Sequence, residues 1–328
     1  LIRRPAAATV RANQGSFLMR RFAAAAVLSL TMLSACSVQR PEAAWRPTPQ
    51  AGVTEPSAVI AATSAEDWRT IAPENLLVMD LEGGARVVVE LAPAFAPVHV
   101  ANIRAFARAG WWNGASVYRI QDNYVAQWGN GDAENPLPQG VVRTPPAEYD
   151  RALAGLDFRP LGYPDAYAPV AGHVEGWPVG TNPQGGRAWL GHCYASVGVG
   201  RDLAPDTGTG GELYAVIGHA PRHLDLNIAT VGRVIEGIQH LASRPRGTGD
   251  LGFYRAEAGE RPLGIVRVRL AADMQAAERP AFEVLRSDRP AFDSYVLGRA
   301  NRGGTFFNRP AGGVDLCNVN VPVRRKQG

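Results

Sequence analysis

From Asn75 onward the chain alternates between short apolar runs and glycine-rich breaks. Leu76–Leu81 and Ala85–Leu91 are two strand-like runs, and Glu82-Gly83-Gly84 between them is a hairpin signal. Val87 and Val89 fall on one face of the second run, Val88 and Glu90 on the other. After Pro93 and Pro97 the period changes. Val98, Ala101, Ile103, Phe106 and Ala109 recur at helical spacing, and Gly110 stops the helix. Strand patterning returns at Ser116–Gln121, Tyr124–Trp128, Ala195–Gly200, Glu212–Ile217, Thr230–Val234 and Ile265–Leu270, with a glycine-rich loop at Leu203–Gly211 and a short helix at Gly237–Ser243. Residues 129–188 are dense in Gly, Pro, Tyr and Trp with weak periodicity, and read as a long irregular region carrying short strands. Beyond 274, short helices are expected near Phe282–Arg286 and Ala291–Leu297. Helices do not alternate with strands, so a parallel α/β architecture is disfavoured and a closed antiparallel barrel or a sandwich is favoured. No internal repeat is present.

The first 35 residues have a different character. They contain Arg3, Arg4, Arg11, Arg20 and Arg21 and no acid. Arg20-Arg21 precede an uncharged stretch from Phe22 to Ala35, the layout of a secretory signal: a basic region, a short apolar region, then small residues. The stretch is too short for an ordinary membrane span, which needs about 20 residues. Met19 is the natural start of such a signal, so residues 1–18 read as an upstream extension. The stretch ends Leu33-Ser34-Ala35-Cys36, which resembles the bacterial lipobox. That resemblance implies cleavage before Cys36 and lipidation of its thiol, hence a periplasmic or envelope protein tethered by acyl chains. Residues 36–72, rich in Ala, Pro, Thr and Ser, then read as the tether, with a short helix around Ala65–Ile71.

Charge looks different in this light. The full chain of 328 residues has a net charge of +4, which on its own suggests nucleic acid. Removing the signal removes five Arg and leaves 29 basic residues against 30 acidic ones, so the nucleic-acid reading loses its support. Of the three cysteines, Cys193 and Cys317 remain once Cys36 is acylated. In an oxidising compartment they form either a Cys193–Cys317 disulfide or two buried free thiols. Glycine clusters at Gly198–Gly200 and Gly208–Gly211 lack the Lys-Ser/Thr of a phosphate loop. His219 and His223 are separated by Pro221 and do not share a helix face for a metal.

Residues 85–128 read ARVVVELAPAFAPVHVANIRAFARAGWWNGASVYRIQDNYVAQWG. This resembles the cyclophilin family of peptidyl-prolyl isomerases, whose pattern runs "EL-x-P-x-x-A-P", "V-x-N-F", "G-Y-Y-(D/N)-G" and "F-H-R-V-I-x-x-F-M-x-Q-G-G-D". Glu90-Leu91, Pro93, Ala96-Pro97, Val100-Ala101-Asn102-Ile103, Gly110-Trp111-Trp112-Asn113-Gly114, Arg119, Tyr124 and Gln127 fall in that order. Further on, Gly210, Tyr214, Leu224-Asp225, Gly232, Val234 and Gly237 match the second half of the pattern. The resemblance covers about residues 75–271. It implies a mainly β fold, a closed eight-stranded antiparallel barrel with two capping helices, over residues 73–273, with 274–328 as a C-terminal extension.

It also implies prolyl cis-trans isomerase activity without cofactor or metal. The partners implied are Pro-containing exported polypeptides, and a monomer is expected. Arg119 takes the catalytic arginine position and Gln127 that of the glutamine positioning arginine and substrate backbone. Tyr124, Val125, Tyr214 and Leu224 take the proline-pocket positions, with His223 and Ile228 at two further pocket positions. The departures are Tyr for Phe at 124 and 214, Val for Met at 125, Glu212 for Gln, His223 for Trp, Ile228 for His, and Val197-Gly198-Val199-Gly200 for "M-A-N". An altered pocket keeps a second class open: a non-catalytic module that holds extended Pro-containing segments.

Overall fold

The computed structural model describes residues 48–130, 136–303 and 305–326. Its centre is a closed antiparallel barrel of eight strands: β1 (Leu76–Leu81), β2 (Arg86–Leu91), β3 (Ser116–Ile120), β4 (Val125–Gly129), β5 (Ser196–Val199), β6 (Leu213–Val216), β7 (Thr230–Glu236) and β8 (Leu263–Leu270). The order around the barrel is β5-β6-β4-β3-β8-β1-β2-β7, and β7 pairs back to β5. Each strand matches a run expected from the sequence within two residues at either end. The β1–β2 hairpin turns at Gly83 and Gly84, both at positive φ, where a side chain would be strained.

Side chains of opposite parity explain why these strands read as nearly continuous apolar runs. Leu77, Met79, Leu81, Val87, Val89 and Leu91 fill the barrel interior with Val117, Ile120, Ala126, Trp128, Val197, Leu213 and Ala215. Leu76, Val78 and Val88 point outward and are buried against Phe282 and Val284 of the C-terminal region. Helix α1 (Pro97–Arg108) closes one end of the barrel. Pro97 occupies its first turn, where the missing N–H costs nothing, and Gly110 ends the segment at φ +67°. Its buried face is Val100, Ile103, Phe106 and Ala107. Truncating the fully buried Phe106 to Ala is expected to cost about 3–5 kcal/mol. A short second helix, α2 (Gln239–Ala242), buries Leu241 in the same core.

Three expectations are corrected. The short strands expected within 129–188 are present, but the described part of this region is more ordered than its weak periodicity implied: extended to Leu190, it holds a five-stranded antiparallel sheet. Its strands, in spatial order, are Arg151–Ala152, Arg187–Leu190, Trp177–Asn182, Val170–Val174 and Phe158–Pro160. Trp177, Val179, Ala188 and Leu190 pack it onto Ala92 and Phe95 at the end of β2. The helix expected at Ala65–Ile71 is a single 3-10 turn, Ala65–Asp67, followed by the strand Trp68–Thr70. The helix expected at Phe282–Arg286 is a strand, Phe282–Leu285, which pairs with Trp68–Thr70 on one side and Val323–Arg325 on the other. The expected helix near 291–297 is present as Pro290–Ala300 and packs on a short helix, Pro56–Ala61. Part of the stretch read as a tether is therefore built into a small sheet and a helix pair with the C-terminal extension.

The barrel and this surrounding structure are joined by polar contacts. Glu148, from the loop entering the inserted sheet, accepts from the backbone N–H of Val98 and His99 at the start of α1 (2.9 and 3.0 Å) and lies 2.7 Å from His99 Nδ1. A carboxylate there satisfies two N–H groups that have no partner within the helix. Glu90 on the outer face of β2 is 2% exposed and pairs with Arg69 and Arg233 (3.0 and 2.7 Å). Cys193 and Cys317 are disulfide-bonded with Cα atoms 5.0 Å apart, stapling the loop before β5 to the C-terminal extension. The signal segment and Cys36 lie outside the described residues. Among the described residues, no helix is long and apolar enough to cross a membrane.

Candidate active site

One irregularity in the ladder sets the geometry of the site. Strands β3 and β4 pair Val117 with Trp128 and then Arg119 with Gln127, so Tyr118 is an extra residue opposite no partner. This is a β-bulge, which bends a strand and re-aims its side chains. Val117 and Ile120 both point into the barrel. Strict alternation would have placed Arg119 inward with Val117; the bulge turns it outward beside Gln127, and Tyr118 reaches the same region.

Across four strands, Arg119, Gln127, Tyr214 and Gly198 then stand in register as one row on the outer face. The row ends in glycine for a steric reason. A Cβ on Gly198 would lie 2.3 Å from the Tyr214 ring, so only glycine lets the aromatic ring lie flat across β5.

Arg119 is held from three sides. Its Nε donates to the Leu251 carbonyl (2.8 Å), Nη1 to Gln127 Oε1 (2.8 Å) and Nη2 to Gln121 Oε1 (2.5 Å). Its guanidinium carbon is 5.5 Å from the centroid of the Phe253 ring. The segment supplying Leu251 and Phe253 comes close because residue 252 is glycine at φ +82°, where a Cβ would meet Gln121 Cα at 2.5 Å. Three of the five guanidinium N–H groups are used in this way, on Leu251, Gln127 and Gln121, and among the described residues the other two meet no acceptor. Burial pulls the Arg119 pKa below its ordinary value, although the nearby tyrosines Tyr124, Tyr118 and Tyr214 act in the opposite direction. A half-buried guanidinium interacts more strongly with a polar group than one in bulk water, because the local dielectric is lower.

Beside this cation lies an apolar patch. Val125, Tyr214 and Val216 form a buried cluster on the outer face, and Tyr124, Leu224 and Ile228 pack around it. His223 stacks on Tyr124, with ring centroids 6.3 Å apart and planes 6° from parallel. The structure thus brings all eight residues singled out from the sequence together at the outer face of the barrel, in what we call the groove: Arg119 and Gln127 at one end, Tyr124, Val125, Tyr214, Leu224, His223 and Ile228 at the other.

Two supporting groups escaped the sequence reading. At the Arg119 end, the Tyr118 hydroxyl donates to Glu212 Oε2 (2.5 Å) and accepts from Gln127 Nε2 (2.6 Å). Burial and the Glu212 charge push the Tyr118 pKa well above the phenol range, so it keeps its proton. Alternation from Val117 already turns Tyr118 outward, but only the bulge sets Arg119 on the same face beside it, and Glu212 comes from a segment 94 residues away. At the Tyr214 end, a buried polar network runs beneath the ring. Tyr214 Oη is 3.1 Å from His192 Nε2, and His192 Nδ1 is 3.0 Å from Asp225 Oδ1. Arg222 Nε donates to Asp225 Oδ2 (2.5 Å), while its Nη1 and Nη2 donate to Asp165 (3.1 and 3.3 Å).

Burial raises the Asp225 pKa, but the hydrogen bond from His192 and the Arg222 charge outweigh it, and the net shift is downward. An ionised Asp225 can only accept, so His192 Nδ1–H donates to it, while Nε2 faces the hydroxyls of Tyr214 and Thr230 (3.1 and 3.3 Å). His192 and Asp165 lie far from Tyr214 in sequence, in regions of weak periodicity, and no local signal pairs them. Among the described residues no cluster of three or more His, Cys, Asp or Glu is placed to hold a metal ion.

Comparison with known proteins places this groove in context. The sequence model described as cyclophilin type peptidyl-prolyl cis-trans isomerase/CLD matches residues 76–263. A probable peptidyl-prolyl cis-trans isomerase of Brucella suis is 40% identical over 92 residues, 27% of this chain and 46% of the relative. Its counterpart in Brucella abortus is 38% identical over the same length. The match thus spans about half the length of these curated relatives. The crystal structure of cyclophilin AquaCyp293 from Hirschia baltica superposes with a TM-score of 0.62 at 23% identity, covering 82% of this chain and 96% of that one. That likeness bears on the fold, and its extent takes in much of the structure around the barrel. With the family match running over more than half of its length, from β1 to the start of β8, the chain belongs to the cyclophilin-type peptidyl-prolyl cis-trans isomerase family.

Proposed function

We propose that this protein catalyses rotation about Xaa-Pro peptide bonds, with Arg119 stabilising the twisted state. The observation that carries this reading is the placement of a fixed, half-buried guanidinium beside an apolar patch on the same outer face. Amide resonance sets a barrier of about 18–20 kcal/mol to this rotation. As the bond twists, resonance is lost and the prolyl nitrogen becomes a hydrogen-bond acceptor. An Arg119 N–H donates to that nitrogen in the twisted state and has no such partner in the planar one, which is differential binding of the transition state. The proline ring sits on Val125, Tyr214 and Leu224, and Gln127 orients both Arg119 and the substrate backbone. No covalent bond is made or broken.

The test is exchange between cis and trans Xaa-Pro peptide followed by NMR. Wild type is expected to accelerate exchange, and Arg119→Ala to lower kcat/KM about 100-fold, or about 2.7 kcal/mol of transition-state stabilisation. If wild type binds the peptide but leaves exchange unaccelerated, the isomerase reading is lost and the groove is a binding module.

The substrates we infer are exported polypeptides, on the strength of the basic-apolar-small pattern that ends at Cys36. Intact mass of the mature protein is expected to show an acyl-modified Cys36 at the N-terminus. An unmodified N-terminus elsewhere removes the anchor.

A further inference from the structure

We infer that Glu212 and Tyr118 are positioning residues that fix which way the Gln127 side-chain amide faces. This inference rests on the isomerase reading of the groove and goes beyond the residues that the family resemblance supplied. The argument starts from donor and acceptor inventory. An amide has one accepting and one donating end of nearly equal size, so sterics alone leave Gln127 free to point either end at Arg119. A guanidinium only donates, which favours Oε1 toward Arg119 Nη1 at 2.8 Å. The other end must then find an acceptor, or the site stores an unsatisfied donor.

Tyr118 supplies that acceptor at 2.6 Å. A tyrosine hydroxyl is itself ambivalent, however, and could donate to Gln127 in the reversed arrangement. The Glu212 carboxylate removes the ambiguity. It can only accept, so the Tyr118 proton goes to Oε2 at 2.5 Å, and only an oxygen lone pair is left facing Gln127. Carboxylate, phenol, amide and guanidinium thus form one chain with a single allowed direction, and its two ionic ends agree. The two outer bonds each have an ionic partner, and they polarise the neutral bond between them.

Two local features of the backbone make the chain possible. The bulge lets the consecutive residues Tyr118 and Arg119 both reach the outer face around Gln127, where regular pairing would allow only one of them. Gly129 makes room for the carboxylate, since a Cβ there would lie 1.8 Å from Glu212 Oε2. The family carries glutamine where this chain has Glu212. A glutamine can donate or accept, so it cannot set the direction, and here that task falls to the carboxylate.

The experiment is a double-mutant cycle on the full folded protein. Tyr118→Phe is expected to lower kcat/KM about five- to ten-fold, the worth of one hydrogen bond, while peptide affinity stays within about two-fold. In a Gln127→Ala background the same substitution is expected to change kcat/KM by less than about 1.5-fold, because the group it positions is gone. Full additivity of the two effects would overturn the inference. A second readout does not depend on turnover: the side-chain amide resonances of Gln127 in labelled protein. They are expected to shift in Tyr118→Phe and, to a smaller extent, in Glu212→Gln; unshifted resonances in both variants overturn the chain. Should wild type fail to accelerate exchange, the isomerase reading falls by itself and the amide resonances still decide the chain.

Discussion

The barrel and the structure wrapped around it are held together by different physics. The barrel interior is one large cluster of apolar side chains, from Leu77 on β1 to Leu270 on β8. Each of its strands carries its own apolar period, and the closed ladder, which joins distant pairs such as β1 with β8 and β2 with β7, satisfies the backbone. The wrapping is built from short strands, turns and smaller apolar clusters. It depends on the Cys193–Cys317 bond, on the Arg222 pairs with Asp165 and Asp225, and on Glu90 with Arg69 and Arg233. Apolar burial is insensitive to protons, whereas buried ionisable groups are not. The barrel is therefore expected to tolerate changes of pH that loosen what surrounds it. The groove lies on the border: its Arg119 end is a polar lattice on the barrel face, while its Tyr214 end rests on the buried network reaching into the wrapping.

The largest effect is expected where that network is cut. Arg222→Met leaves Asp165 and Asp225 side chains, 2% and 4% exposed, without their cation. Removing one partner of such a buried set costs about 3–5 kcal/mol, readable in urea or thermal unfolding. A loss below about 1 kcal/mol would mean that the wrapping does not lean on this network.

A smaller effect is expected from pH, through His173 in the inserted sheet. Its ring is buried, neither nitrogen has a hydrogen-bond partner among the described residues, and burial together with the Arg233 charge pulls its pKa from 6.5 down to about 3. Between those values the unfolded chain holds a proton that the folded one does not. Stability is therefore complete above about pH 6.5 and falls as pH drops through that window. The slope is about 1.4 kcal/mol per unit, or about 2 kcal/mol between pH 6.5 and 5. His173→Leu is expected to flatten this limb without loss of stability at pH 7.5, and an unchanged limb would remove His173 as its source.

The smallest effect sharpens the contrast from the other side. Arg119→Ala, expected to be severe for exchange, is expected to change unfolding free energy by less than about 0.5 kcal/mol. Its partners are half-exposed polar groups that water can satisfy. A loss above about 2 kcal/mol would show that the guanidinium holds the barrel face together as well.

Legibility in the sequence follows the same division. The barrel strands and α1 were readable because each carries its own period, and glycine or proline marks its ends. Trp68–Thr70 was not, because its partner, Phe282–Leu285, lies more than two hundred residues away and three residues carry no period. The inserted sheet has strands of two to six residues, several with Gly or Pro, so its pairing is likewise decided at long range. In the groove, Arg119 and Gln127 were legible as members of an ordered motif. Tyr118 was not, because its role depends on meeting Glu212, 94 residues away, and on a bulge that puts Arg119 on the same face.

By itself, then, the sequence determined the barrel's strands and its capping helix, which rest on local periodicity, and left a barrel or a sandwich open; the closed barrel and the candidate site residues were implied by an ordered series of motifs that resembles a family. Only the tertiary structure decided that Arg119 faces outward, that Glu212 and Tyr118 stand behind Gln127, that His192 and Asp225 stand behind Tyr214, and that Cys193 meets Cys317. Those outcomes depend on a register shift and on contacts between residues distant along the chain, and neither leaves a mark on the neighbouring sequence.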